Sequence, residues 1–186
     1  MVFSVIGDSD SFVPRPWPKT VFQTALIEAA KSAGETWILF RGNDEGVSKI
    51  VKDAYRNYED LHFETETISK DDHNRHVKLI SIAREKNRNM SNEEQERSAT
   101  HTCANTKGMQ FLLEFEDFVS KKPLDYFGED MNFNITTPIT LIVCEGDIQT
   151  ISHISKALRN QLPVIIMKGS GKATDVVLEY LEKYLS

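Results

Sequence analysis

The feature that most constrains this chain is a repeated unit: a short apolar run, a turn containing glycine, then an amphipathic helix. It is clearest in the last third. Ile139–Cys144 is continuously apolar and stops at Glu145-Gly146-Asp147. Ile148–Asn160 follows with Ile151, Ile154, Ser155 and Leu158 at helical spacing, predicting an inward stripe. Leu162–Met167 repeats the apolar run and ends at Lys168-Gly169-Ser170-Gly171. Lys172–Leu185 then predicts a final helix buried through Val176, Val177, Tyr180, Leu181 and Tyr184. A strand apolar on both sides needs helices over both faces, which is the parallel-sheet arrangement. The expected fold is therefore α/β, in three layers, with a mainly parallel sheet.

The first half extends the pattern. Phe3–Ile6 is a strand stopping at Gly7-Asp8, and Ser9–Pro18 carries three prolines and reads as a loop. Val21, Phe22, Ala25, Leu26, Ala29, Ala30 and Ala33 mark a helix closed by Gly34. Thr36–Arg41 is a buried strand ending at Gly42, and Val47, Ile50, Val51, Ala54 and Tyr55 mark the next helix. Leu61–Ile68 alternates and predicts a strand; Asp71 to about Lys86 predicts a helix; Met109–Phe115 predicts a strand. Between them, 87–108 is polar and reads as a loop-like insert, and 116–137 as irregular. At 186 residues, the expected organisation is one domain, 1–186, carrying that insert.

Composition removes several function classes. Lys plus Arg is 22 and Asp plus Glu 28, a formal charge of −6, so no basic face for sequence-independent nucleic-acid binding is expected. The longest apolar runs fall far short of the ~20 residues that cross a bilayer, so direct membrane insertion is not expected. Met1–Asp10 has no basic n-region, and Cys103 and Cys144 are too few for a disulfide scaffold, so the expected address is the cytosol. In that setting the sequons at Asn89 and Asn134 read as chance.

The chemistry is expected where strands end. Turns with Gly7, Gly42 and Gly46, Gly146, and Gly169 with Gly171 would line the carboxyl edge of a parallel sheet, where doubly wound folds bind ligands. Glycine admits close backbone approach, and each following helix offers N–H groups and a partial positive charge suited to phosphate. The ordinary alternative is a tight turn and nothing more. Gly169-Ser170-Gly171-Lys172 is not a P-loop: that pattern would need Gly at 166 and Ser or Thr at 173, where Ile166 and Ala173 stand. Lys172 is either a phosphate contact or a solvated lysine. His73 and His76, three apart beside Asp71 and Asp72, lack further metal ligands at a fixed spacing. His101 and Cys103 form no defined nucleophile pair, and His153 reads as a partly buried helix residue.

The stretch Pro138–Asp175 resembles the amino-terminal homology region of the melastatin-type TRP cation channels. Glu145-Gly146, Thr150-Ile151, Pro163-Val164, Gly169-Ser170-Gly171 and Asp175 stand where that family has a Glu-Gly-Gly strand end, Asn-Thr-Ile and PVVV-x-GSGRxxD. Trp37-Ile38, Gly42, Gly46 and Val47 are similar to its WI-x-TGG-xxx-GV segment, and Met109–Asp117 to its HFILVEDG strand. The resemblance implies a Rossmann-like fold of the SLOG type. It implies a nucleotide ligand, ADP-ribose or a related adenine nucleotide, and other subunits or domains of a channel-like assembly as partners. It places the chain on the cytosolic side of a membrane through that assembly. Related phosphoribohydrolases carry a PGG-x-GT-x-x-E turn; Lys168–Asp175 lacks that glutamate, which favours ligand sensing over hydrolysis. The predicted ligand contacts are Arg41, Gly42, Gly46, Val47, Glu145, Gly146, Gly169, Ser170, Gly171 and Lys172. Where the family has Thr-Gly-Gly this chain has Phe40-Arg41-Gly42-Asn43, with the second glycine lost or shifted, and Arg41 there either replaces backbone donors with a guanidinium or fills the site.

Overall fold

The computed structural model describes residues 1–7, 19–42, 46–65, 76–82, 101–122 and 136–185, with the backbone alone for 61–65, 101–107 and 185. The described elements run β1 (Val2–Ile6), α1 (Lys19–Ser32), β2 (Thr36–Phe40), α2 (Gly46–Thr65), β3 (Val77–Ser81), α3 (His101–Lys121), β4 (Ile139–Val143), α4 (Ile148–Arg159), β5 (Val164–Ile166) and α5 (Lys172–Leu185). The strands form one sheet in the order β3-β2-β1-β4-β5, and every pairing is parallel. The central strand β1 aligns Val2 with Trp37 on one side and with Ile139 on the other.

The two faces of the sheet build two cores. Phe3, Val5, Ile38, Phe40 and Ile142 pack with Phe22, Leu26 and Ala30 of α1 and Val47, Ile50, Val51 and Ala54 of α2. Val2, Ile6, Leu39, Leu141 and Val143 pack with Leu112 of α3 and Ile154 and Ala157 of α4. Successive strand residues point to opposite faces, so strands with apolar residues at every position serve both cores. The predicted strands at 3–6, 36–41, 139–144 and 162–167 are thus neighbours in one sheet.

The middle of the chain differs from the sequence expectation. Residues 61–65 are not a strand but the end of α2, in which Val47, Ile50, Val51 and Ala54 are buried at helical spacing; 66–68 lie outside the described residues. The helix expected over 71–86 is replaced at Val77–Ser81 by β3, which adds to the edge of the sheet beside β2; 71–75 and 83–86 lie outside the described residues. Met109–Phe115 is not a strand but lies inside α3, and the likeness of Met109–Asp117 to a family strand fails with it. Met109, Leu112 and Glu116 are buried at helical spacing, and that period prevails over the alternation of Met109, Phe111, Leu113 and Phe115. Of the predicted insert, 101–108 is helical and 87–100 lies outside the described residues; of the segment called irregular, 116–121 is helical and 123–135 lies outside them.

Two helices also present different faces from those predicted. In α4 the buried residues are Thr150, His153, Ile154 and Ala157, while Leu158 is 58% exposed. In α5, Val176, Tyr180 and Tyr184 are exposed, and Ala173 and Thr174 are buried instead.

Candidate functional site on the carboxyl edge of the sheet

Because all strands are parallel, their carboxyl ends share one edge. It gathers Gly7 after β1, Arg41–Gly42 after β2, Glu145–Gly146 after β4 and Gly169–Lys172 after β5. Gly46 and Val47 open α2. The chain builds outward from β1 to β2 and β3, then crosses to β4 on the other side, so β1 and β4 flank the topological switch point.

The glycines there do different things. Gly7 has φ +137°, and a Cβ on it would lie 1.6 Å from the Cys144 carbonyl oxygen. Backbone therefore closes on backbone at the switch point, where the Cys144 N–H also donates to the Ile6 carbonyl at 3.0 Å. Gly146 has φ +85°, with its Cβ position 2.6 Å from the Thr150 side chain. Both glycines serve the chain's own packing, the ordinary reading of a tight turn. Gly169, at φ +78°, is exposed and has no atom within 4 Å of its Cβ position, so its backbone is open to approach.

The loops after β4 and β5 are bound to each other. The Glu145 N–H donates to Ser170 Oγ at 2.9 Å, and the Thr174 and Ala173 N–H groups donate to the Glu145 and Gly146 carbonyls at 3.1 and 3.5 Å. Ser170, fully buried, donates to the Met167 carbonyl at 2.7 Å and lies 2.9 Å from Thr174 Oγ1. The Gly169 N–H donates to Asp175 Oδ1 at 3.0 Å. Much of the predicted donor set at α5 thus braces the turn itself. At α4, Asp147 Oδ1 accepts from the Gln149 and Thr150 N–H groups in a capping box, and its carboxylate opposes an anion there. Glu145 and Lys172, neither of them glycine, hold left-handed backbone at φ +59° and +51°.

Of the predicted contacts, Val47 is a core residue, and Arg41, Glu145 and Ser170 are buried. Lys172 is half-buried, and Gly42 precedes residues 43–45, which lie outside the described set. Sequence reading missed Lys52, whose ammonium donates to the Gly42 carbonyl at 3.1 Å and lies 5.8 Å from the centre of the Phe40 ring. It adds a cation beside the β2 loop, and no local pattern marks it. On the β5 side, Lys168 meets Glu182 of α5 at 2.7 Å, and that bond holds the lysine above its ordinary pKa.

Sequence reading also missed a buried polar group below this edge. The Ser4 hydroxyl donates to Glu116 Oε1, and His153 Nε2 lies 2.8 Å from Glu116 Oε2. All three side chains are fully buried. The available signal is a polar residue in an apolar slot: Ser4 within Val-Phe-Ser-Val-Ile, and Glu116 on the Met109–Leu112 stripe of α3. Among the described residues no group of three or more His, Cys, Asp or Glu is placed to hold a metal ion, and no helix is long and apolar enough to cross a membrane. A surface depression of about 460 Å³, lined by Glu114, Asp117, Phe118 and Lys121 of α3 and by Lys122 just after it, contains none of the predicted contacts.

An all-parallel sheet in the order 3-2-1-4-5, with glycine turns along its carboxyl edge, defines a Rossmann-like α/β domain. Residues 1–186 match the family described as SLOG in TRPM (LSDAT), and the chain belongs to that family. It is 26% identical over 209 residues to transient receptor potential cation channel subfamily M member-like 2 of Nematostella vectensis, covering 95% of this chain. It is 24% identical over 206 residues to subfamily M member 5 of Homo sapiens, again over 95% of the chain. It is 25% identical over 209 residues to subfamily M member 4 of Rattus norvegicus, over all of the chain. The chain spans 13% of the length of the first of these relatives and 17% of the other two.

Proposed function

We propose that the chain is a sensing and assembly domain of a channel subunit, held on the cytosolic side, and that it takes a phosphate-bearing nucleotide at the carboxyl edge of its sheet. One observation carries this reading. Glu145 and Lys172, on adjoining loops, hold left-handed backbone that disfavours side chains, and such strain collects at functional loops. The ammonium of Lys172 and the cations of Arg41 and Lys52 supply contacts suited to a diphosphate, while the Gly169 N–H is already given to Asp175. The family resemblance makes ADP-ribose the first ligand to try. Contacts at a helix end contribute about 0.3–1 kcal/mol each, so affinity is modest without the side chains. Local cations attract the anion and salt screens them, so binding weakens as salt rises, while the net charge of −6 opposes approach at long range. Hydrolysis is not part of the proposal, because Asp175, the local carboxylate nearest the place of the enzymes' glutamate, accepts the Gly169 N–H and closes the turn.

A second reading, a packing module with no small ligand, is favoured by the bonds that consume the first amides of α4 and α5. Calorimetric titration with ADP-ribose, NAD, ADP and AMP at low salt separates the two. Heat with any of them that falls with salt and with Lys172→Ala supports the nucleotide site; no heat with all four leaves the packing module.

A further inference from the structure

The rotation of α4 poses a question that apolar burial does not answer. Hydrophobicity alone would turn Ile151, Ile154 and Leu158 inward. The helix instead buries Thr150, His153, Ile154 and Ala157 and leaves Leu158 at 58% exposure. What this rotation gains is the bond from His153 to Glu116. Apolar packing is non-directional and tolerates a range of rotations. A buried carboxylate does not, because it needs donors at particular places. Glu116 takes one donor from Ser4 in the central strand and one from His153 in α4, so a single side chain on α3 ties three elements together.

The consequence reaches the carboxyl edge. The same rotation that turns His153 inward turns Thr150 inward, three residues earlier. Thr150 Oγ1 accepts the Asp147 N–H at 3.2 Å, its own N–H donates to Asp147 Oδ1 at 3.1 Å, and its side chain fills the space where Gly146 has no Cβ. We propose that Glu116 is a positioning residue: acting through His153, it sets the rotation of α4 and thereby holds the Glu145–Gly146–Asp147 turn in place. The assignment holds whatever ligand, if any, the edge takes. Because His153 Nδ1 has no hydrogen-bond partner among the described residues, the ring acts there through its Nε2–H, donated to Glu116 Oε2.

That single bond makes a discriminating pair of variants. His153→Gln keeps an N–H near the place of Nε2, whereas His153→Phe fills similar space without one. Amide hydrogen exchange measured residue by residue on the 186-residue chain reads the turn directly. In His153→Phe and Glu116→Met, the amides of Asp147, Gln149 and Thr150 are expected to exchange roughly tenfold faster, beyond any uniform change at α1 and α2. His153→Gln is expected to stay near the parent. Leu112→Ala, a cavity on the same face of α3, is the control and should raise exchange without singling out the turn. Ser4→Ala is the milder variant should Glu116→Met or His153→Phe not fold, and it is expected to show the same selective pattern at smaller size. Equal protection in His153→Phe and His153→Gln, or an increase spread as evenly as in Leu112→Ala, overturns the assignment.

Discussion

Replacing Gly7 by alanine tests the claim that the switch point is closed by backbone. Gly7 holds φ +137°, a conformation side chains rarely adopt, and an added Cβ would lie 1.6 Å from the oxygen, 2.7 Å from the carbon and 3.3 Å from the nitrogen of Cys144. None of these atoms belongs to a side chain that can swing aside. Relief requires β1 and β4 to separate where the Cys144 N–H meets the Ile6 carbonyl. The backbone conformation costs about 1–3 kcal/mol, and forcing apart a packed contact costs about 1–3 more. The sum, roughly 2–6 kcal/mol, is a large part of the ~5–15 kcal/mol that stabilises a typical domain. Gly34→Ala is the matched control: its φ is +73°, but nothing lies within 4 Å of its Cβ position, so only the backbone penalty of ~1–2 kcal/mol applies. Urea unfolding followed by circular dichroism, compared at constant m, reads the difference. The expected order is Gly7→Ala well below Gly34→Ala in midpoint, or without a native baseline at all. A Gly7 variant as stable as the Gly34 variant would refute the contact.

Other expectations follow from the same geometry. Leu112, fully buried between α3 and the sheet, should cost about 2–5 kcal/mol as alanine, read as a lower urea midpoint. The Lys78 ammonium, 2.8 Å from Glu35, chiefly holds that carboxyl below its ordinary pKa, with the Trp37 indole N–H helping. Its contribution is therefore present above the unfolded pKa and lost as pH falls through the folded one; Lys78→Ala should raise the Glu35 value in an NMR titration and flatten the acid side of the stability profile. The pair is half-exposed, so the loss should stay below about 1 kcal/mol. Lys168 titrates in the opposite sense: Glu182→Gln should lower its pKa, removing a contribution that is present below the unfolded pKa and lost as pH rises through the folded one. If ADP-ribose binds, Lys172→Ala should weaken it roughly ten- to a hundredfold by calorimetry, the range for a hydrogen bond to a charged group; an unchanged affinity would remove Lys172 from the site.

How legible these features were depends on how far apart their causes lie. β1, β2, β4 and β5 could be read because each is an apolar run stopped by a local break at Gly7, Gly42, Gly146 or Gly169. Met-Gln-Phe-Leu-Leu-Glu-Phe satisfies both a two-residue and a helical period, so the segment alone does not choose. The choice falls to Glu116, which as a helix residue continues the Met109–Leu112 stripe to a buried partner. The glycine turns were visible as places but not as roles: Gly7 and Gly169 look alike in sequence, yet one is pressed against Cys144 and the other faces open space.

The buried polar group shows the limit most sharply. Glu116 stands 112 residues from Ser4 and 37 from His153, and no local window joins them. Yet each carries half of the argument alone. A carboxylate on the inner stripe of a helix is intolerable without donors, and a serine flanked by valine and isoleucine on one face of a central strand contributes little to packing there. Two such misfits on elements that pack together each lower the cost of the other. Once β1 is taken as the central strand and α3 as a helix over it, the need of Glu116 for donors selects Ser4. The remaining carboxylate oxygen then requires a donor from α4, and His153, with its inward rotation and the exposed Leu158 that results, supplies it.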